Sequence, residues 1–290
     1  MGSGTTTRPG DQIVAWLGPA LFSLVAFAAN SVLCRLALKG GAADPVSFTV
    51  IRLVGGALFL LLLTRLRKPA LSLGGSWRGA LALFLYAFLF SAAYVQLSAG
   101  AGALLLFGAV QITMFGFAWY RGERITLRVL TGMALAFAGL LVLLLPGAAA
   151  PGLSSALLMA LAGVAWGIYT LLGKGSPRPL ADTAGNFVRS LACLVLLAPM
   201  LWMGSGLQLS LSGFGYGLAS GAIASGAGYA VWYSVVRRIS AQQAATLQLS
   251  VPVIAALGGV LLVGEPLSLR LALACAVVLG GIALALSPRR

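Results

Sequence analysis

Ten apolar runs of similar length divide this sequence and leave short connections between them. A helix needs about 20 apolar residues to cross the hydrocarbon core of a bilayer, and each run approaches that length. A chain that is 60% hydrophobic cannot hide that much apolar surface in water, so we predict an all-α integral membrane protein with ten transmembrane helices. The runs are Ile13–Leu38, Val46–Thr64, Arg78–Leu97, Gly102–Tyr120, Val129–Leu145, Leu153–Gly173, Thr183–Gly204, Gly213–Val236, Gln242–Val263 and Leu271–Leu286.

The residues that carry enzyme chemistry are scarce in this sequence. It has no histidine, and Cys34, Cys193 and Cys275 lie inside apolar runs without metal-ligand spacing. The five acidic residues all fall at the ends of runs or between them; they are Asp11, Asp44, Glu123, Asp182 and Glu265. We find no pairing of a nucleophile with a base and no metal-ligand set. We therefore expect no enzymatic activity, no catalytic residue, no cofactor and no metal site.

The basic residues are distributed unevenly between the two sides of the predicted bundle. A net charge of +14 would point to nucleic acid in a soluble protein, but here it follows the membrane topology and predicts a lipid bilayer as partner and no nucleic acid. Connections after the even-numbered runs hold Arg65, Arg67, Lys68, Arg78, Arg121, Arg124, Arg128, Lys174, Arg178, Arg237, Arg238, Arg289 and Arg290, whereas those after the odd-numbered runs hold Arg35, Lys39 and Arg270. Because positive loops stay inside, both termini are predicted to be cytoplasmic, with residues 1–12 as a tail.

A seven-residue motif occurs twice. Residues 122–128 read GERITLR and residues 264–270 read GEPLSLR, so the copies lie 142 residues apart, about half of the chain. The flanks align as well, with 17–33 matching 153–169. We predict two five-helix repeats, residues 13–146 and 147–290. Because five is odd, the second repeat crosses the bilayer upside down, as in secondary transporters with a substrate site at the midplane.

These features resemble a known superfamily. Ten helices in two inverted halves, each with a Gly-Glu motif before its last helix, are similar to the drug/metabolite transporters and, within them, to the EamA family. The stretch from Leu104 to Met114 that runs into Gly122-Glu123-Arg124 most resembles bacterial aromatic amino acid exporters of the YddG type. The resemblance implies export of amino acids or similar metabolites across a bacterial inner membrane.

Uncharged polar and aromatic residues inside the runs are the candidate substrate contacts. An amide facing lipid costs several kcal/mol, about 2–7, unless it finds a partner, so amides are expected to face the interior of the bundle. Aligning Leu17 with Leu153 places Trp166 at the position equivalent to Asn30. Aromatic rings would add flat surfaces suited to a zwitterion with a large side chain. The candidate substrate-binding residues are Asn30, Tyr86, Tyr94, Gln111, Trp166, Tyr169, Tyr229, Gln248 and Ser250.

Four charged residues leave alternatives open. Arg52 and Arg189 stand at matching places in the second and seventh runs. Their guanidinium groups either bind a carboxylate or act in gating, or they extend to the nearer membrane interface. Glu123 and Glu265 fit local helix-end chemistry and loop ion pairing better than a transport role.

Together these patterns predict a transporter that exports amino acids, aromatic or otherwise neutral, or similar small metabolites by alternating access. Its partners would be a small-molecule substrate and lipid, and a monomer is compatible with the sequence. The predicted site is lined by helices one, three, four, six, eight and nine, with five and ten mainly in packing roles. The alternatives are a sugar-phosphate or nucleotide-sugar exchanger, which needs several cationic cavity residues, and a broad-specificity efflux protein.

Overall fold

The computed structural model describes residues 9–67, 72–122, 126–145, 151–199, 207–236, 238 and 247–286. Ten helices lie in these residues, and the one β feature among them is an isolated bridge between Ala43 and Leu209. The helices are α1 (Pro9–Lys39), α2 (Pro45–Arg67), α3 (Trp77–Tyr94), α4 (Ala99–Tyr120), α5 (Leu127–Leu144), α6 (Leu153–Gly173), α7 (Pro179–Ser190, continued by the 3₁₀ turn Ala192–Leu197), α8 (Leu211–Leu218, the π-helical Ala219–Ala227 and Gly228–Val236), α9 (Ser250–Val263) and α10 (Leu269–Leu286).

The lengths of the helices fit a bilayer. Six described segments are long and apolar enough to cross one, namely α1 from Trp16, α2, α3, α4, α6 and α7 with its 3₁₀ turn, and α5, α9 and α10 are shorter apolar helices. The architecture is that of a multi-pass membrane protein. The helix in the seventh run begins at Pro179, earlier than predicted, because proline fits the first turn of a helix. Residues 200–204 of that run, and 242–246 of the ninth, lie outside the described residues.

Hydroxyl side chains cap the N-termini of several helices. The side chain of Ser76 accepts a hydrogen bond from the Gly79 amide at 3.0 Å, and that of Ser210 accepts one from Gly213 at 3.1 Å. Thr126 and Ser268 bond in the same way to the amides of Val129 and Leu271. These caps satisfy amides that the first turn of a helix leaves without a partner, which fixes where α3, α5, α8 and α10 begin.

The packing of the helices has a two-fold pattern. Helices α3 and α4 pack against α6, while α8 and α9 pack against α1. Helix α2 packs against α8 and α7 packs against α3, and the pairs α2–α7, α4–α9 and α5–α10 are also in contact. If α1 to α5 are exchanged in order with α6 to α10, this set of contacting pairs stays the same.

Glycines allow the closest approaches between helices. A Cβ atom on Gly221 of α8 would lie 2.1 Å from the carbonyl oxygen of Arg52, so α2 and α8 meet backbone to backbone. In the α5–α10 pair, a Cβ on Gly139 would lie 3.0 Å from the amide nitrogen of Val278, and one on Gly281 would lie 2.7 Å from that of Ala136. Such contacts are typical of membrane helices, where packing rather than apolar burial holds neighbours together.

Candidate substrate cavity

A cavity of about 450 Å³ lies inside the bundle. Its lining residues come from α1, α3, α4, α6 and α8, from the loop after α6 with the first residue of α7, and from Gln248 ahead of α9. This volume falls in the range of about 300–1,000 Å³ typical of small-molecule sites. Seven of the nine candidate substrate-binding residues line it: Asn30, Tyr86, Gln111, Trp166, Tyr169, Tyr229 and Gln248.

Trp166 is the centre of the aromatic wall. Its ring centroid lies 4.7 Å from that of Tyr86, 5.3 Å from that of Tyr169 and 5.2 Å from that of Tyr229. The three tyrosines are buried, whereas Trp166 is partly exposed. The wall therefore joins residues of α3, α6 and α8 around one indole, a surface on which a flat apolar group can stack.

The buried amide of Asn30 is held from α8. Its Oδ1 accepts hydrogen bonds from the hydroxyls of Ser220 at 2.8 Å and Ser225 at 3.3 Å, both in the π-helical stretch. π-Bulges are frequent at functional sites, because they redirect side chains that a regular helix would place elsewhere. The two other amides, Gln111 and Gln248, face the cavity from α4 and from the residues before α9.

Two candidate residues do not line the cavity. Tyr94 is fully buried at the end of α3, where its hydroxyl donates to the carbonyl of Ala99 at 3.1 Å and its ring packs edge-on against Phe90 at 4.6 Å. Ser250 donates to the carbonyl of Leu247 within the turn that begins α9. Both hydroxyls bond to the local backbone, away from the cavity lining.

The two candidate arginines have different surroundings. Arg52 is 2% exposed, and its Nη2 lies 2.8 Å from the Tyr86 hydroxyl. Arg189 is half-buried, and its Nη1 donates to the carbonyl of Gly74 in the segment before α3. The predicted equivalence of the two positions is therefore not matched by equivalent contacts, and Arg189 is not among the cavity-lining residues.

One end of the bundle is closed beside the α3–α4 turn. Glu265, in the loop between α9 and α10, accepts from Arg35 at 2.7 Å and from the Ala99 amide at 2.8 Å. Arg35 also donates to the carbonyls of Tyr94 and Val95. The predicted loop ion pairing of Glu265 is therefore present, while Ser268 rather than Glu265 caps α10. Glu123 lies outside the described residues.

The cavity opens at the other end, between α6 and α7. Lys174, Ser176 and Pro179 lie at its mouth, and Lys174 is the one charged residue among the described residues of the lining. Sequence reasoning missed Lys174, because a basic residue in a loop indicates topology first. It also missed Phe27 and Phe107, whose apolar side chains look the same in sequence whether they line a cavity or fill a core.

Comparisons with known proteins give one family match and several similar chains. The EamA-like transporter family matches residues 153–287, which is α6 to α10. The chain is 58% identical to an uncharacterized protein of Pseudomonas aeruginosa over 93% of both chains. It is 28% identical to an uncharacterized transporter, YwfM, of Bacillus subtilis over 88% of both. A solved crystal structure that is 23% identical superposes with a TM-score of 0.66, covering 92% of this chain and 95% of that one, and shows the same fold.

Proposed function

Since this chain belongs to the EamA-like transporter family of the drug/metabolite transporter superfamily, we propose that it exports amino acids, aromatic or otherwise neutral, or similar small metabolites from the cytoplasm. The membrane would be the bacterial inner membrane, and the transport mechanism would be alternating access around the cavity.

The observation that carries this proposal is the cavity wall around Trp166. Three tyrosine rings from three helices lie there at centroid distances of 4.7 to 5.3 Å from the indole. The amides of Asn30, Gln111 and Gln248 lie in the same lining. Such a site offers stacking to an apolar side chain and hydrogen bonds to polar groups, which suits a neutral amino acid better than a sugar phosphate.

Repeated local geometry supports two inverted repeats, residues 13–146 and 147–290. The hydroxyls of Thr49 and Thr183 bond back to the carbonyls of Pro45 and Pro179 at 2.7 and 2.8 Å, at positions 134 residues apart. Ser76 and Ser210, which cap α3 and α8, are separated by the same interval. Gly122 and Gly264, 142 residues apart, both have a positive φ, 79° and 67°.

The same geometry supports an equivalence between Asn30 and Trp166. Asn30 bonds to Ser220 of α8, and Trp166 packs on Tyr86 of α3, which stands 134 residues earlier than Ser220. The two residues therefore contact matching positions of matching helices. One half would supply an amide to the cavity and the other an indole.

The two ends of the cavity support alternating access. The cavity opens at Lys174, on the side where the basic loops predict the cytoplasm, and the Arg35–Glu265 pair joins the opposite end. We therefore assign this structure to a state open to the cytoplasm. An outward-open state would require the contacts of Glu265 with Arg35 and Ala99 to separate.

Efflux from proteoliposomes tests the proposal. Vesicles that hold the purified protein are loaded with radiolabelled phenylalanine, leucine, glutamate or glucose 6-phosphate, and loss of label is followed against empty vesicles. We expect protein-dependent efflux of phenylalanine first and leucine second. Efflux of the sugar phosphate alone would replace this proposal with the exchanger alternative, and efflux of none of the four would overturn it.

A further inference from the structure

We propose that the cavity selects organic carboxylates, with the buried guanidinium of Arg52 as the charge that recognises them. This inference deepens the proposed function and rests on it for the role of the cavity. It predicts that the acid group of the substrate is required and that its ammonium group is not.

The position of Arg52 is the first step. The guanidinium carbon lies 4.9 Å from the ring centroids of both Tyr86 and Phe90. Both rings line the cavity, whereas Arg52 does not, so the charge lies one side chain behind the cavity wall. In an interior of low dielectric, a charge at this depth still acts strongly on an ion in the cavity.

The incomplete pairing of Arg52 is the second step. Nη2 bonds to the Tyr86 hydroxyl at 2.8 Å and to the Ser225 hydroxyl at 3.4 Å, while Nη1 is buried without a hydrogen-bond partner in the described part of the chain. The one ion pair among the described side chains is Arg35–Glu265, so the buried guanidinium has no carboxylate there. A buried charge is costly unless it is paired, which marks Arg52 as a functional position awaiting an anion.

Tyr86 connects this charge to the cavity. Its hydroxyl accepts the hydrogen bond from Arg52, and the hydroxyl proton therefore remains to be donated. A carboxylate is a strong acceptor for such a proton, and the adjacent guanidinium favours its negative charge. Turning the Tyr86 side chain aside would let the carboxylate reach the guanidinium itself.

The described lining itself carries only positive charge, and the nearby acid Asp182 lies behind the mouth, where its carboxylate accepts a hydrogen bond from Ser176. Lys174 stands at the mouth and Arg52 lies behind the wall, and neither Asp nor Glu occurs among the described lining residues. An organic cation would meet two positive charges, whereas an anion would be attracted by both. The aromatic wall around Trp166 receives the apolar part of the ligand. The site therefore fits an aromatic or bulky carboxylate.

Binding of four probes to the purified protein in detergent, measured by equilibrium dialysis with radiolabel, tests this inference. The probes share a phenyl ring and differ in charge: 3-phenylpropanoate, phenylalanine, 2-phenylethylamine and 3-phenylpropanamide. We expect the two carboxylates to bind at least tenfold more tightly than the amine and the amide. Arg52→Gln should weaken carboxylate binding about tenfold or more and leave the amide unchanged, with Arg52→Lys intermediate.

Two further variants keep the test informative. Tyr86→Phe keeps the ring and the packing but removes the hydroxyl, so it should reduce carboxylate binding while Arg52 stays in place, even if Arg52→Gln does not fold. Arg189→Gln is the matched control, because it removes an arginine outside the cavity, and it should bind all four probes as the unchanged protein does.

The outcomes separate this inference from the proposed function. If phenylalanine binds equally well to the Arg52→Gln and Tyr86→Phe variants, or if the amine binds as tightly as the acids, the carboxylate inference is overturned and amino acid export stands. If 3-phenylpropanoate binds in an Arg52-dependent way and phenylalanine does not, the inference stands and amino acid export is overturned. If no probe binds, both are overturned.

Discussion

The Nε atom of Arg35 lies 2.7 Å from Oε1 of Glu265, and this ion pair joins α1 to the loop between α9 and α10. The second carboxylate oxygen accepts a hydrogen bond from the amide of Ala99 at the start of α4, so α1, α4 and the α9–α10 loop meet at one side chain. Both partners are largely buried, with side-chain exposures of 12% and 7%. The pair therefore holds together the end of the bundle opposite to the mouth of the cavity.

Neutralising Glu265 should destabilise the protein. Glu265→Gln leaves Arg35 without its counter-ion, and breaking a buried pair in this way costs about 3 kcal/mol. Thermal unfolding in detergent should show a lowered midpoint. The exchange of both residues, Arg35→Glu with Glu265→Arg, should be more stable than either single change. Lys39→Gln is the control, because it removes a single exposed hydrogen bond to the Val263 carbonyl at the same end. A midpoint for Glu265→Gln equal to that of the control would contradict a structural role for the pair.

Removing the indole of Trp166 should change the substrate preference. Trp166→Ala removes the indole on which the apolar group of the ligand would stack, a ring contact worth on the order of 1 kcal/mol beyond burial. Binding of phenylalanine should weaken at least fivefold, and binding of alanine should change little. Trp166→Phe keeps a ring at the position and should retain most of the affinity. Equal losses for both amino acids would show that Trp166 supports the fold and not the stacking surface.

The proposed orientation can be tested with single cysteines. In a variant whose native cysteines are replaced, Leu207→Cys lies before α8 and Pro177→Cys lies between α6 and α7, both at exposed positions. An impermeant maleimide added to intact cells should label the first and spare the second until the membrane is made permeable. The opposite pattern would reverse the topology, and with it the direction of export.

Asp44 should contribute stability that depends on pH. Burial raises the pKa of its carboxyl group, but hydrogen bonds from Ser47, Gln208 and Val46 outweigh this effect and hold the pKa below its usual range. The carboxylate caps α2, which is worth about 1 kcal/mol. Because the folded pKa is the lower one, this stability is present near neutral pH and is lost as the pH falls through it.

Comparison of Asp44→Ala with the unchanged protein measures that contribution. The difference in unfolding midpoint should be constant between about pH 6 and pH 8, because the carboxylate stays ionised there. It should shrink in acid, as the carboxylate is protonated. Asp182→Ala is a second acidic variant for comparison. Asp182 lies at the other end of the bundle, where its carboxylate accepts a hydrogen bond from the Gly75 amide. A difference for Asp44→Ala that grows on acidification would contradict this assignment.

The helical class could be predicted from the sequence, because in lipid each apolar run must satisfy its own backbone hydrogen bonds. The transporter family could be predicted from its resemblance to chains with the same repeated Gly-Glu motif. The depth of individual side chains along the bundle could not be predicted. Tyr86 and Tyr94 stand eight residues apart on α3, about 12 Å along its axis, and that distance separates the cavity wall from the closed end of the bundle. The alignment of residues 17–33 with 153–169 drew attention to Trp166, which lines the cavity.

The π-helical stretch of α8 could not be foreseen either. Its glycines and serines predict close packing, and Gly221 does meet the backbone of α2. The same stretch turns Ser220 and Ser225 towards Asn30, and Ser225 also towards Arg52. This orientation depends on tertiary contacts with α1 and α2, which the local sequence does not encode.

The contact between α5 and α10 has the form of an isologous interface inside one chain. Gly139 meets Val278 as Gly281 meets Ala136, and each residue stands 142 positions from its counterpart. In a symmetric homodimer, one substitution changes both sides of such an interface at once. Here each side can vary alone. Under the proposed repeat, α5 and α10 keep a dimer-like seam while the cavity positions Asn30 and Trp166 differ, so that one cavity has two unlike walls without loss of the assembly that forms it.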